Sequence, residues 1–133
     1  MTHLPASIAA GSVLNGEEYA WPLPALPAAL DAAIRESIAC LGGQFQFRLP
    51  DGTYEMYWIN ADSTDRGRDE PWSDYAERSV GEVRAAFERL VRETDFRAQV
   101  QQWPALAKTP SSREDVLGGL VFCAYFISEQ EST

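Results

Sequence analysis

The sequence predicts an α+β fold: one small domain in which an antiparallel β-hairpin, or small sheet, is packed by helices before and after it. Three observations carry this. Residues 44–60, QFQFRLPDGTYEMYWIN, alternate apolar and polar side chains on both sides of Pro50-Asp51-Gly52, the period of half-buried strands. Apolar residues recur at helical spacing in two flanking stretches, Leu26 to Leu41 and Val80 to Val91. The chain has 133 residues, 45% of them hydrophobic, enough for one domain that folds without a metal or disulfide staple.

Residues 1–20 show no firm period and are expected to form a loose N-terminal arm. Trp21-Pro22-Leu23-Pro24 is expected to be extended, because a residue before proline is pushed out of the α region. Pro27 suits the first position of a helix, where its missing N–H costs nothing. Leu26, Leu30, Ile34, Ile38 and Leu41 then make one stripe, so a helix is expected over Pro27–Leu41, with Gly42-Gly43 as its left-handed cap.

In the hairpin, Phe45, Phe47 and Leu49 alternate with Gln44, Gln46 and Arg48, and Tyr54, Met56 and Trp58 alternate with Thr53, Glu55 and Tyr57. Proline presets φ, aspartate accepts local backbone hydrogen bonds, and glycine takes positive φ, so Pro50-Asp51-Gly52 closes the pair. An isolated hairpin is marginal in water, which is why its apolar face demands helices. On simple alternation Tyr57 and Ile59 face away from Phe45 and Met56, so that face is either covered or an apolar patch.

Residues 62–74 are rich in turn formers and lack an apolar period, so they form a surface loop. Ser79-Val80-Gly81-Glu82 has the form of a capping box, with Asp74 to Glu77 an earlier candidate. The helix expected from there, Val80–Glu93, buries Val80, Val83, Phe87, Leu90 and Val91. Phe96, Val100 and Trp103 fall on the opposite side at 100° per residue, so a break is expected at Thr94-Asp95, where the aspartate can cap a short helix. Pro104 and Pro110 bracket a loop. Val116–Ile127, VLGGLVFCAYFI, follows a third capping signal at Ser111 to Glu114 and is expected to be a buried helix; its aromatic and β-branched content makes a strand the alternative. The element order is then α-β-β-α-α-α, the last possibly replaced by a strand, followed by a polar tail.

Composition narrows the function. A net charge of −9 disfavours nucleic-acid backbones and anionic membranes, both of which want clustered Lys and Arg, and suits a basic partner. No apolar run approaches the ~20 residues that span a bilayer, and the N-terminus lacks a basic segment before its apolar stretch, so a soluble cytoplasmic protein is expected. Cys40 and Cys123 both lie in apolar segments and read as buried free thiols.

Catalytic signatures are missing from the sequence. The single histidine, His3, lies in the arm, while Ser-His and Cys-His mechanisms need a positioned base. There is no CxxC, dinucleotide fingerprint or phosphate loop. A calcium loop starting at Asp62 would place Gly67 correctly, but its fifth position is Arg66 and its twelfth Ser73, so the match fails. No metal and no cofactor is expected. What remains is the loop itself: Asp62, Asp65, Asp69, Glu70 and Asp74 around Trp72. Tryptophan anchors interfaces and acids steer a basic partner, although Trp72 could instead fold inward and pin the loop. These six residues are the candidate partner-binding surface of a non-enzymatic protein, in its most concrete form an inhibitor or immunity-type protein masking a basic toxin or enzyme. The alternatives are a dimeric, secretion-chaperone-like holder and a carboxylate-based metal-dependent enzyme.

Overall fold

The computed structural model describes residues 4–15, 18–107 and 116–132. In chain order the elements are α1 (Ala6–Ala9), β1 (Val13–Asn15), β2 (Glu18–Pro22), a 3₁₀ turn at Leu23–Ala25, α2 (Leu26–Arg35), β3 (Ala39–Leu49), β4 (Gly52–Asp62), α3 (Trp72–Glu93), α4 (Phe96–Gln99), a 3₁₀ turn at Val100–Gln102, α5 (Pro104–Ala107), β5 (Leu120–Ile127) and α6 (Glu129–Ser132). The strands form one antiparallel sheet in the order β1-β2-β5-β3-β4. The architecture is a single small α+β domain, as the alternation of residues 44–60 and the two helical stripes predict.

The core lies between one face of the sheet and the helices. The sheet contributes Trp21, Phe45, Phe47, Phe122 and Phe126; α2 contributes Leu26, Ala29, Leu30 and Ala33; α3 contributes Val80, Val83 and Phe87. Phe45 is the hub: its ring stacks on Phe87 at 5.7 Å and meets Phe122 edge-on at 5.0 Å. Full burial of each such ring stabilises the fold by about 1.5–3 kcal/mol. Trp21 is fully buried and its Nε1–H donates to Ile8 O at 3.1 Å, satisfying the indole and fastening α1 to the sheet.

On the second face Arg48 donates to Gln46 Oε1 at 3.2 Å, Val13 O at 2.9 Å and Glu18 O at 3.2 Å, tying the β1–β2 hairpin across the sheet. Ala20, Val121 and Cys123 are buried there. Cys40 belongs to the helix-side core and Cys123 to this second cluster, so the two thiols are free and lie on opposite faces.

Several expected boundaries moved, each for a physical reason. The residues expected to form a loose arm supply α1, β1 and β2. The helix begun at Leu26 stops at Arg35, because Ser37 adopts φ +55° and closes a Schellman motif: Ile38 N–H bonds Ala33 O and Ser37 N–H bonds Ile34 O. Gly42-Gly43 is therefore no helix cap. It lies inside β3, where a Cβ on Gly43 would sit 2.4 Å from Cys123 O and 2.5 Å from the Phe122 ring.

Helix α3 starts seven residues before its expected capping box. Ser79 is buried in its middle, where its hydroxyl donates to Ala76 O at 2.9 Å and accepts from Cys40 N–H at 3.1 Å. The break at Thr94-Asp95 is present, and Asp95 Oδ1 caps α4 through Ala98 N–H at 3.1 Å. Residues 104–107, expected as loop, make the short α5. The segment expected as a helix over Val116–Ile127 is instead largely β5, a central strand between β2 and β3; its β-branched and aromatic side chains fill both faces of the sheet. The capping signal at Ser111 to Glu114 lies outside the described residues, as does His3.

Candidate partner-binding surface

The acidic loop leaves β4 at Asp62 and enters α3 at Trp72, and one arginine organises it. Arg78 projects from the second turn of α3 and binds Glu70 twice, Nε to Oε2 at 2.8 Å and Nη2 to Oε1 at 2.8 Å. Its remaining donors reach Glu82 Oε2 at 3.0 Å, Asp65 O at 3.0 Å and Thr64 Oγ1 at 2.6 Å. Glu70 also accepts Gly67 N–H at 2.9 Å. Arg78 foremost, and then that amide, hold the Glu70 carboxyl down at a pKa of about 2. Glu82 accepts Thr64 N–H at 2.8 Å, which with Arg78 lowers its pKa too. Two of the loop's neighbouring carboxylates thus fasten it to the helix.

Trp72 folds inward. It is 8% exposed, donates from Nε1 to Ser37 O at 2.7 Å and meets Tyr75 edge-on at 5.4 Å. Arg66 covers its ring at 5.4 Å and Arg78 covers Tyr75 at the same distance. The tryptophan therefore pins the loop over the helix, and its ring is not offered to a partner. Glu70 is likewise held in the Arg78 clamp. Asp62, Asp65, Asp69 and Asp74 are exposed, spread along the rim of the same rigid loop.

The two most exposed aromatic residues among those described lie elsewhere, on the edge strand β4. Met56 pairs with Phe45 and Asn60 with Gln44, so Tyr57, Trp58 and Ile59 have no counterpart on β3 and form a long bulge. Ile59 turns inward at 8% exposure while Tyr57 and Trp58 project at 69% and 44%. Simple alternation would have put Tyr57 and Ile59 on one face; the bulge separates them. Trp58 is steadied by Gln99, whose Oε1 accepts its Nε1–H at 2.8 Å, and by the Trp103 ring at 5.7 Å. Tyr57 packs edge-on against Trp58 at 5.0 Å. The bulge also blunts the sheet edge against strand addition.

Compared with models of protein families, with curated proteins and with solved structures, the chain matches none. Among the described residues no group of three or more His, Cys, Asp or Glu is placed to hold a metal ion, and no helix is long and apolar enough to cross a membrane. Burial pushes the Cys40 thiol up to about 12 and raises Cys123 as well, so neither is poised as a thiolate nucleophile.

The 62–74 loop is legible in the sequence, but Arg78 as its organiser is not, although its i,i+4 spacing to Glu82 is readable. Tyr57 is legible as a surface question, but the bulge around it is not, because no glycine or proline marks it.

Proposed function

We propose that the chain is a non-enzymatic binding module that engages a basic protein through the acidic rim of the 62–74 loop and the adjoining edge of β4. Its most concrete form is an inhibitor or immunity-type protein masking a basic toxin or enzyme in the cytoplasm. The observation that carries the reading is the pair Tyr57 and Trp58, exposed on a stretch that has four carboxylates and no cation between Arg48 and Arg66. Interfaces combine such aromatic anchors with charges that steer the partner. Tyr57 and Trp58 take the anchoring role that the sequence suggested for Trp72. The rigid Arg78 clamp supports it further, since an ordered loop loses little entropy on binding.

Affinity capture from the source cell with mass spectrometry, at low and high salt, tests this. The expected result is one basic protein, weakened by salt and by the Asp65→Asn/Asp69→Asn/Asp74→Asn and Tyr57→Ala variants. A partner insensitive to all of these, or none, overturns the reading. A dimeric holder is the second reading, favoured by Val13 and Leu14, 48% and 55% exposed on the edge strand β1. A dimeric mass in solution, abolished by Leu14→Ser, would support it.

A further inference from the structure

The geometry points to a cleft for a single basic side chain, formed where Gly42 leaves a gap in the sheet face beside the acidic loop. Tyr125, Gly42 and Asp62 are direct register partners on β5, β3 and β4. Tyr125 and Asp62 thus stand two strand spacings apart, about 9.6 Å, with a residue that has no side chain between them. A Cβ on Gly42 would lie 2.4 Å from Asp62 Oδ1, so the absent side chain is what leaves the carboxylate room. The resulting cleft is about 240 Å³, and Leu41, Gln44 and Asn60 complete its lining.

The chemistry of the lining selects the occupant. Asp62 is exposed, and its carboxylate has no ion pair or side-chain hydrogen bond among the described residues, whereas Glu70 and Glu82 are both engaged by Arg78. Leu41 and Tyr125, 45% and 40% exposed, supply an apolar lip against which the methylene stem of a long cationic side chain packs, and the tyrosine face attracts a cation. Gln44 adds a polar side chain to the lining. A planar guanidinium fits this set best, because it bonds a carboxylate through two parallel N–H groups and stacks on a ring. The occupant is an arginine of the basic partner. This inference rests on the proposed binding function and names the contact that would give it specificity.

The test is an NMR titration with N-acetyl-arginine amide, and with the citrulline analogue, which keeps the shape and loses the charge. The expected result is saturable shifts of the Gly42, Gly43 and Gln44 amides with the arginine compound and none with citrulline. Asp62→Asn, at an exposed position and nearly isosteric, should weaken binding about fivefold, the upper end for an exposed ion pair, with an unchanged melting temperature as the control for folding. Equal shifts from citrulline, no loss in Asp62→Asn, or shifts confined to residues 65–74 overturn the cleft while leaving the acidic-rim reading standing. No shifts at tens of millimolar also overturn the cleft. The broader reading is judged separately, by salt-sensitive capture with the Asp65, Asp69 and Asp74 variants.

Discussion

Replacing Ser79 by alanine separates the sequence pattern from the structure. As an N-cap, Ser79 would bond Glu82 N–H at the first turn of a helix, and its loss would fray that end. In the structure its hydroxyl sits seven residues inside α3 and accepts from Cys40 N–H, at the point where the pairing of β3 with β5 shifts register. Ser79 and Cys40 are both fully buried, so water cannot replace the lost acceptor, and an unsatisfied buried donor costs about 1–3 kcal/mol. An unfolding entropy of about 2.1 cal/mol/K per residue over 133 residues converts each kcal/mol into roughly 3.6 °C, so Tm should fall by about 4–11 °C. Circular dichroism melts measure this, and hydrogen exchange at the Cys40 amide localises it. A double-mutant cycle with Glu82→Gln should be additive within about 0.5 kcal/mol, because Glu82 serves Thr64 and Arg78 instead of the Ser79 backbone. A Tm within about 1 °C of wild type with unchanged Cys40 protection, or strong coupling to Glu82, would refute the argument.

Two further outcomes follow from the described geometry. Gly81→Ala should stabilise the protein by about 0.5–1 kcal/mol, since Gly81 is a helical position with nothing within 4 Å of an added Cβ, while Gly43→Ala should cost about 1–3 kcal/mol by driving a methyl into Cys123 O and the Phe122 ring; urea unfolding that gives both changes the same sign would contradict this. The Glu70 pKa is depressed in the folded state from 4.5 to about 2, so its contribution to stability is present above about pH 4.5 and lost as pH falls from there toward 2; Glu70→Gln should flatten Tm against pH in that window, and a slope equal to wild type would show that the Arg78 pairing carries no linkage.

The parts of the fold legible in the sequence were those where local pattern and tertiary role agree. Pro50-Asp51-Gly52 closes the hairpin because turn chemistry and strand alternation point the same way, and Asp95 caps α4 because the apolar stripe changes side at that residue. The misreadings came where one residue type serves two purposes. Glycine ends helices, but at positions 42 and 43 it permits close approach of neighbouring strands. Serine caps helices, but Ser79 bridges a helix to a strand. Val116–Ile127 carries apolar residues at every position but Gly118 and Gly119, so no period distinguishes a buried helix from a strand covered on both faces; only the partners β2 and β3 decide it. For the candidate surface, the sequence located the acids of the loop but not which were free. That depends on Arg78, which removes Glu70 and Glu82 from the exposed set, and on Ser37 O, whose hydrogen bond draws Trp72 inward.

The strand order carries a consequence for how the chain assembles. β5 lies between β2 and β3, so Ala20 meets Cys123 about a hundred residues later in the chain. During synthesis β3, β4 and α3 can associate as soon as they emerge, since their contacts are comparatively local. The β1–β2 hairpin has no strand to join until Leu120–Ile127 arrives. The late insertion of this last strand completes the hydrogen-bonding of two earlier ones, and until then the inner edge of β3 stands open to other chains. Closure of the sheet is thus the pairing that spans the most chain, from Ala20 to Cys123, the kind of non-local contact that costs loop-closure entropy before any hydrogen bond offsets it.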